Sequence, residues 1–192
     1  MKHFVATLLL FLAVISAEAG PVLLVVAVPE SAAEDVAKSE ELILATYRMK
    51  ASNAISVDEA FCGLHLLLDG KPWSPSSSVG QALMGGRPIR REAPRSPPTL
   101  LLSPTQVKET SAALSLVRAE DLRARYDPDL VARVCLPTKA SLESDAKGLA
   151  YLLDHLSPLK AFYAKAANDG SAVLLALWFG QLPPKGAIGT AP

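Results

Sequence analysis

The sequence predicts an α+β fold, in the form of a helix-rich single domain with a small sheet. Two apolar runs have no polar alternation and are typical of buried strands: Val22–Val28, which is rich in β-branched residues and leucine, and the hydrophobic segment Ala172–Phe179. Between them, apolar residues recur mainly at helical spacing. Half of the 192 residues are hydrophobic, which is enough material for the core of one ordinary domain.

The first nineteen residues are typical of a secretory signal peptide. Lys2 and His3 precede an apolar run, Phe4–Ile15, and Ala17–Ala19 forms a small-x-small cleavage site before Gly20. The two alternatives are an uncleaved membrane anchor and a buried core helix. Because a membrane-spanning helix needs about 20 unbroken apolar residues and this run is shorter, we expect a cleaved signal and a periplasmic or secreted protein.

The chain divides into three parts: a signal peptide over 1–19, the folded domain over 20–180, and a disordered tail over 181–192 that is rich in proline and glycine. Cleavage removes one positive and one negative side chain, Lys2 and Glu18, from the nineteen of each sign. A neutral chain has no long-range field that steers it to nucleic acid or to an anionic surface. We therefore expect no nucleic-acid partner, and membrane contact only transiently through the signal peptide.

The strand at Val22–Val28 is bracketed by two prolines and begins the folded domain. Glu30–Lys38 predicts a short helix, since its acidic residues fall in the first half, where they suit the positive end of the helix dipole. Glu40–Ser52 fits neither the helix nor the strand pattern clearly. Ser56–Glu59 matches the capping box and starts a core helix that Gly70 ends.

Prolines dominate the segment from Gly70 to Pro98. A short helix over Val79–Met84 is expected within it. After Gly86 the prolines exclude a helix interior or a central strand, so we predict a long surface loop. This loop carries four basic residues: Arg87, Arg90, Arg91 and Arg95. They form either an anion site or a solvated, mobile face, and we favour the solvated face.

Four further helices follow in the second half of the chain. Ser103–Pro104 and Asp127–Pro128 each place a capping side chain before a proline at the first helical position. Ala119–Tyr126 predicts a short helix between them. Leu142–Asn168 is the longest helical pattern, and Ser157–Pro158 should kink or restart it, with Ser157 as the new cap.

Several segments, taken in order, resemble the YfbM-like bacterial proteins, a family with a domain of unknown function (DUF1877). The matching segments are Asp58–Gly70, Ala82–Gly86, Leu102–Pro104 with Val107, Leu122–Pro128, and Leu159–Ala167 with Gly170–Leu174. The chain departs from the family at Phe61, where tryptophan is usual, and at Pro97–Leu101. The resemblance implies an α+β domain dominated by helices, and it implies no established activity.

Two short patterns could carry catalysis. Ser157 and Lys160 fit the serine-x-x-lysine pattern of penicillin-binding enzymes, but the partner motifs are absent, so a helix cap is the better interpretation. His65 is one helical turn from Asp69 and two turns from Asp58, where a carboxylate could orient a general base. The alternative is a core histidine that is satisfied by one hydrogen bond.

Arg123, Arg125, Tyr126 and Asp127 form a second polar group. They form either a patch for an anionic ligand or partner, or a structural tie in which Asp127 caps the next helix. The histidines show no metal-ligand spacing, and we predict no metal and no cofactor.

The two cysteines, Cys62 and Cys135, would lie in an oxidising compartment after export. They are either separate core thiols or a disulfide, which would require a Cα separation below about 7 Å.

We predict a non-catalytic binding or interaction module whose partner is an unknown protein or a small anionic ligand. The alternative is a hydrolase that uses His65 with a carboxylate. The candidate polar cluster is Asp58, His65, Asp69, Arg123, Tyr126 and Asp127. The two functions differ in whether these side chains line one open cleft or lie apart and packed.

Overall fold

The computed structural model describes residues 21–49, 53–92, 96–135 and 145–179. The predicted signal peptide and the predicted tail lie outside these residues. The strands are β1 (Val22–Val28), β2 (Ala54–Ser56), β3 (Arg87–Ile89), β4 (Thr99–Leu102) and β5 (Ala172–Trp178). The helices are α1 (Ala33–Lys38), α2 (Glu40–Met49), α3 (Phe61–Asp69), α4 (Gln81–Met84), α5 (Pro104–Leu116), α6 (Ala119–Arg123), α7 (Pro128–Val134), α8 (Asp145–Asp154) and α9 (Leu156–Asn168). The predicted α+β class is confirmed.

The sheet has five antiparallel strands in the order β2-β1-β5-β4-β3. The two predicted strands pair with each other near its centre, with Val25 opposite Leu175. Every residue of β1 is buried, as expected for a strand covered on both faces.

Helices cover both faces of this sheet. Leu23 and Val25 point into the larger core, which α3, α5 and α9 complete. Leu24 and Val26 point the other way, into a smaller core formed with α1 and α2. The period of two along β1 therefore divides the molecule into two hydrophobic layers.

Helix α3 lies at the centre of the larger core, and Phe61–Leu68 are all buried. At Gly63 an added Cβ would lie 2.9 Å from Leu152 of α8, so glycine allows α8 to approach closely. Gly70, with φ of 76°, ends α3 as predicted.

The predicted capping box at the start of α3 is wrong. Ser56 is the last residue of β2, and its hydroxyl accepts a hydrogen bond from the Asp58 N–H at 3.1 Å. Asp58 has φ of 52°, and a 3-10 turn over Asp58–Ala60 leads into the helix. The serine thus stabilises a sharp bend between strand and helix.

The predicted surface loop after Gly86 is also wrong in part, because β3 and β4 form an antiparallel pair there. Pro88 is tolerated because β3 is an edge strand, where a missing N–H breaks no central ladder. Gly86 has φ of 101°, and a Cβ there would lie 2.7 Å from the Leu101 carbonyl oxygen.

The basic residues of this segment differ in exposure. Arg87 is exposed and pairs with Glu34 of α1, and Arg90 is exposed. Arg91, expected to be solvated, is buried at 4% exposure, because side chains distant in the sequence surround it. Arg95 lies outside the described residues.

The remaining helix starts are confirmed, with one exception. Ser103 and Gln106 form a complete capping box, and the Asp127 carboxylate accepts from the Leu130 N–H at 2.9 Å. The long helix breaks at His155, so the prediction of Ser157 as the cap is wrong: Ser157 is exposed within the first turn of α9.

The ambiguous segment forms α2 up to Met49, and residues 50–52 lie outside the described part. Within the described ranges, every helix is too short or too polar to cross a membrane.

Candidate functional site

The predicted polar cluster does not form one site. Asp58 and Asp69 lie at opposite ends of the 3-10 turn and α3, about 16 Å apart along the helix axis. Their surroundings differ, and the two ends of α3 therefore have to be considered separately.

At the first end, Asp58 accepts a hydrogen bond from the Tyr151 hydroxyl at 3.0 Å. The ring of His155 meets Tyr151 edge-on, with 5.2 Å between the ring centroids. Burial lowers the pKa of His155, against the opposing effect of Asp58 and Asp154. Burial and then Asp58 raise the pKa of Tyr151, so its phenol stays a proton donor at neutral pH.

His65 lies between the two ends and has no exposed surface. Burial lowers its pKa, while Asp69 and the backbone at Gly80 and Ser74 act in the opposite direction. Neither ring nitrogen has a hydrogen-bond partner at normal geometry among the described residues, so the single satisfying bond expected for a core histidine is not formed there. In this packing a substrate cannot contact the imidazole.

At the second end, Asp69 ties the following turn to α3. Its carboxylate accepts from the Ser76 N–H at 2.8 Å, from the Ser76 hydroxyl at 2.9 Å, and from the Ser77 hydroxyl. Burial acts to raise its pKa, but the hydrogen bonds from Ser77 and Ser76 outweigh it, and the pKa is lowered. Gly80 lies so close to this carboxylate that a Cβ would collide with it. Asp69 therefore has a structural role.

An open cleft of about 330 Å³ lies beside this turn, and we call it the arginine cleft. It is lined by Leu68, Ser77, Ser78, Val79, Ala113, Leu116, Val117, Arg118, Asp121, Leu122 and Arg125. Arg118 and Arg125 place guanidinium groups beside an apolar floor. Leu116 is 80% exposed, although a leucine side chain gains about 1.5–3 kcal/mol when it is fully buried.

The segment predicted as an anion patch contributes only Arg125 to this cleft. Arg123 is exposed on α6 and does not line it. Tyr126 is half-buried and packs against the larger core, and Asp127 caps α7.

Leu116 and Arg118 were not predicted as site residues, although the sequence holds a signal for Leu116. The buried stripe of α5 follows Val107, Thr110 and Leu114. Leu116 falls two residues after the last of these, off the stripe, and is therefore exposed.

The serine-x-x-lysine pattern has a structural explanation. Lys160 donates to the carbonyl oxygen of Val117 at 2.9 Å and to that of Ser115 at 3.4 Å, at the end of α5. Lysine is commonly found in this position because it satisfies the last carbonyls of a helix. Its ammonium is thus occupied away from Ser157.

Cys62 of α3 and Cys135 after α7 form a disulfide, with 5.7 Å between their Cα atoms. Trp73 packs edge-on against Phe61 and donates from its indole nitrogen to the Val134 carbonyl oxygen at 3.0 Å. Both cysteines are therefore flanked by residues that this indole contacts.

In the described ranges, histidine, cysteine, aspartate and glutamate form no group that could hold a metal ion.

The sequence model of the family described as "Domain of unknown function (DUF1877)" matches residues 24–176. Among solved structures, a protein of unknown function, YfbM from Escherichia coli, has a similar fold with a TM-score of 0.61. The two sequences are 13% identical, and the match covers 82% of this chain and 99% of that one. At this identity the likeness concerns the fold alone. No curated protein matches the sequence significantly.

Proposed function

We propose that this chain, which belongs to the DUF1877 family of unknown function, is an exported binding module that holds an acidic, partly apolar segment of a partner protein in the arginine cleft. The main observation that supports this proposal is the composition of the cleft. It brings together two guanidinium groups and several apolar side chains, including the exposed Leu116.

Charge and polarity favour an acidic segment with apolar side chains. Arg118 and Arg125 line the cleft with one carboxylate, Asp121, and Arg118 also lies 3.7 Å from the exposed Glu120. An exposed ion pair of this kind contributes little, so both guanidinium groups remain open to a carboxylate of the partner, which a guanidinium binds with two parallel hydrogen bonds. Arginine is enriched in protein interfaces relative to the rest of the protein surface.

The shape of the cleft favours a protein segment over a small molecule. Small-molecule sites bury most of their ligand, whereas this cleft is open to solvent. The apolar residues Leu116 and Val117 extend along its rim at the end of α5. An extended chain would cover more of this surface than a compact ligand.

Two observations support export. The N-terminal segment has the signal-peptide pattern, and the chain's only two cysteines are bonded. Disulfides persist mainly in oxidising compartments such as the periplasm and the cell exterior. Intact-mass analysis of protein from the cell envelope should find Gly20 as the first residue, and a full-length chain in the cytoplasm would contradict export.

The arrangement around His65 does not favour the hydrolase alternative. The histidine is buried, Asp58 lies at the far end of α3, and Asp69 is occupied by the turn over residues 76–77. General-base catalysis requires hydrogen-bond reach to the substrate.

Calorimetric titration of the mature chain with a synthetic peptide that alternates leucine and glutamate tests the binding proposal. We expect the double variant Arg118→Gln, Arg125→Gln to bind about tenfold more weakly or worse, since each charge-assisted bond contributes about 1.5–3 kcal/mol. Arg133→Gln is the matched control, because Arg133 is exposed on α7 and does not line the cleft. Added salt should weaken the wild-type complex.

Two further comparisons make the test specific. Leu116→Ala should weaken binding while leaving the fold intact, whereas Leu42→Ala, at another exposed leucine, should change neither. Equal binding of a leucine–lysine peptide would contradict the proposal. Binding of octanoate without binding of the acidic peptide would assign the cleft to a small anionic ligand instead.

A further inference from the structure

A second pocket, of about 400 Å³, opens beside the end of β5, and we call it the Arg91 pocket. It is lined by Glu40, Arg91, Ser96, Pro97, Leu177, Trp178 and Phe179. We propose that this pocket binds a neutral, planar heterocycle that presents a hydrogen-bond acceptor beside a donor, as a nucleobase does.

The base of the pocket is a guanidinium held in place from several sides. The Arg91 side chain is 2% exposed. Its Nε donates to the Thr99 hydroxyl at 2.9 Å, and one terminal nitrogen donates to the Leu177 carbonyl oxygen at 3.0 Å. The other terminal nitrogen lies 3.4 Å from a Glu40 carboxylate oxygen.

Hydrogen-bonding capacity remains on both charged groups. A guanidinium has five N–H donors, and three of them are used by these contacts. Two N–H donors of Arg91 are therefore not used by these contacts. Glu40 accepts from Arg91 and from the Ser96 hydroxyl through the same oxygen, Oε1, which leaves its second oxygen as an acceptor on a side chain that is 32% exposed.

The charges select a neutral ligand. The charges of Arg91 and Glu40 cancel each other. An anion is attracted by the guanidinium but repelled by the carboxylate, and a cation is attracted by the carboxylate but repelled by the guanidinium. A neutral group with an acceptor next to a donor satisfies both without leaving a charge unpaired in a partly buried site. Guanine has this pattern, since the O6 acceptor lies beside N–H donors.

The walls select a flat ring. Trp178 and Phe179 are neighbours at the end of β5, and Phe179 is 63% exposed. Stacking of a nucleobase on an aromatic side chain contributes about 1–3 kcal/mol to the binding free energy, and it does not depend on which base is bound. Pro97 and Leu177 add apolar surface. The walls would hold the ring while the Arg91–Glu40 pair binds its edge.

The experiment uses guanosine as the probe and Trp178 as the reporter. The chain has two tryptophans, so a Trp73→Phe background leaves Trp178 as the only tryptophan. We expect guanosine to quench its fluorescence with saturation, and Glu40→Gln to weaken binding by about tenfold or more, because an amide lacks the ionised acceptor. Glu41→Gln is the matched control, since Glu41 is exposed on the same helix and does not line the pocket.

Benzoate, a flat anion, should bind at least tenfold more weakly than guanosine. The proposal is overturned if guanosine does not bind, if benzoate binds as well as guanosine, or if Glu40→Gln and Glu41→Gln bind guanosine equally. A thermal melt of each variant shows that the fold is retained. The arginine-cleft variant Arg118→Gln, Arg125→Gln should bind guanosine normally, so this test is independent of the proposed function.

Discussion

At the scale of single residues, burial decides the chemistry of the titratable groups. His65 shares α3 with Asp69, and Asp58 lies in the 3-10 turn before that helix. The sequence spacing alone is compatible with a general base. Its ring has no exposed surface, because α3 lies at the centre of the larger core and other elements pack against it. Burial of this kind depends on contacts distant in the sequence, which is why the spacing of charged residues could not predict it.

The same burial predicts a specific sensitivity to acid. Burial lowers the pKa of His65 in the folded state below its ordinary value of 6.5, so the unfolded chain binds more protons once the pH falls below that value. The free energy of unfolding should therefore decrease as the pH falls through 6.5, and His65 should contribute no such change well above that pH.

His65→Leu should reduce the loss of stability at acidic pH, measured by urea denaturation at several pH values. His155→Gln gives an independent comparison, because burial also lowers the pKa of that histidine. The double variant should therefore show a smaller acid effect than either single variant. An unchanged pH dependence in His65→Leu would contradict the buried, neutral state of this imidazole.

Arg91 is the residue whose surroundings were least predictable. The sequence shows four arginines among prolines, which is typical of a solvated segment. The groups that bury and bind Arg91 come from α2, β4 and β5. The local sequence pattern contains no information about such distant partners. Both the burial of Arg91 and the pocket that it lines are therefore seen only in the structure.

At the scale of elements, length and composition decide what could be predicted. β1 and β5 are seven residues each and almost wholly apolar, so their sequences predict buried strands. β2 and β3 are three residues long and lie at the sheet edges. Such short strands form because they pair with a neighbouring strand, which the local sequence does not show. Pro88, judged from its sequence neighbours alone, favours a loop.

Helix starts were predicted correctly at Ser103 and Asp127, where a capping side chain precedes a proline, but the same pair at Ser157 lies inside the first turn of α9. Ser56 and Ser157 have capping side chains without the backbone geometry of a cap. A serine before an apolar helix is therefore insufficient evidence for a cap when a strand or another helix immediately precedes it.

The β3–β4 pair depends on a glycine that accommodates a close backbone contact. Gly86→Ala should destabilise the protein by about 2 kcal/mol or more, because the residue combines a positive φ with a Cβ position 2.7 Å from the Leu101 carbonyl oxygen. Gly70→Ala is the matched control, since φ is also positive there but the space is open, and its cost should be about 1 kcal/mol. Equal losses in urea denaturation would show that the backbone contact is unimportant.

At the scale of the whole molecule, the disulfide joins two parts of the larger core that are 73 residues apart in the sequence. Closing a loop of this length lowers the conformational entropy of the unfolded chain, which stabilises the folded state by roughly 4 kcal/mol in the chain-entropy model. Replacing both Cys62 and Cys135 by alanine should lower the free energy of unfolding by about this amount.

A reductant provides the control for this prediction. It should lower the melting temperature of the wild-type chain and leave that of the double alanine variant unchanged. Alkylation of the unfolded, unreduced wild-type protein should modify no thiol until reductant is added. Two modified thiols without reductant would contradict the bond.

The two ends of α3 present different surfaces to a ligand. One end has a tyrosine, a histidine and a strained aspartate, and the other borders the arginine cleft. We place binding at the second end because guanidinium groups and exposed apolar surface meet there.

An NMR titration of the isotope-labelled mature chain with the leucine–glutamate peptide shows which residues the bound peptide contacts. Binding in the arginine cleft should shift the amide signals of residues 77–79 and 113–125 with saturation, and these shifts should be lost in Arg118→Gln, Arg125→Gln. Shifts confined to the surroundings of Asp58, Tyr151 and His155, or no shifts at all, would contradict binding in this cleft.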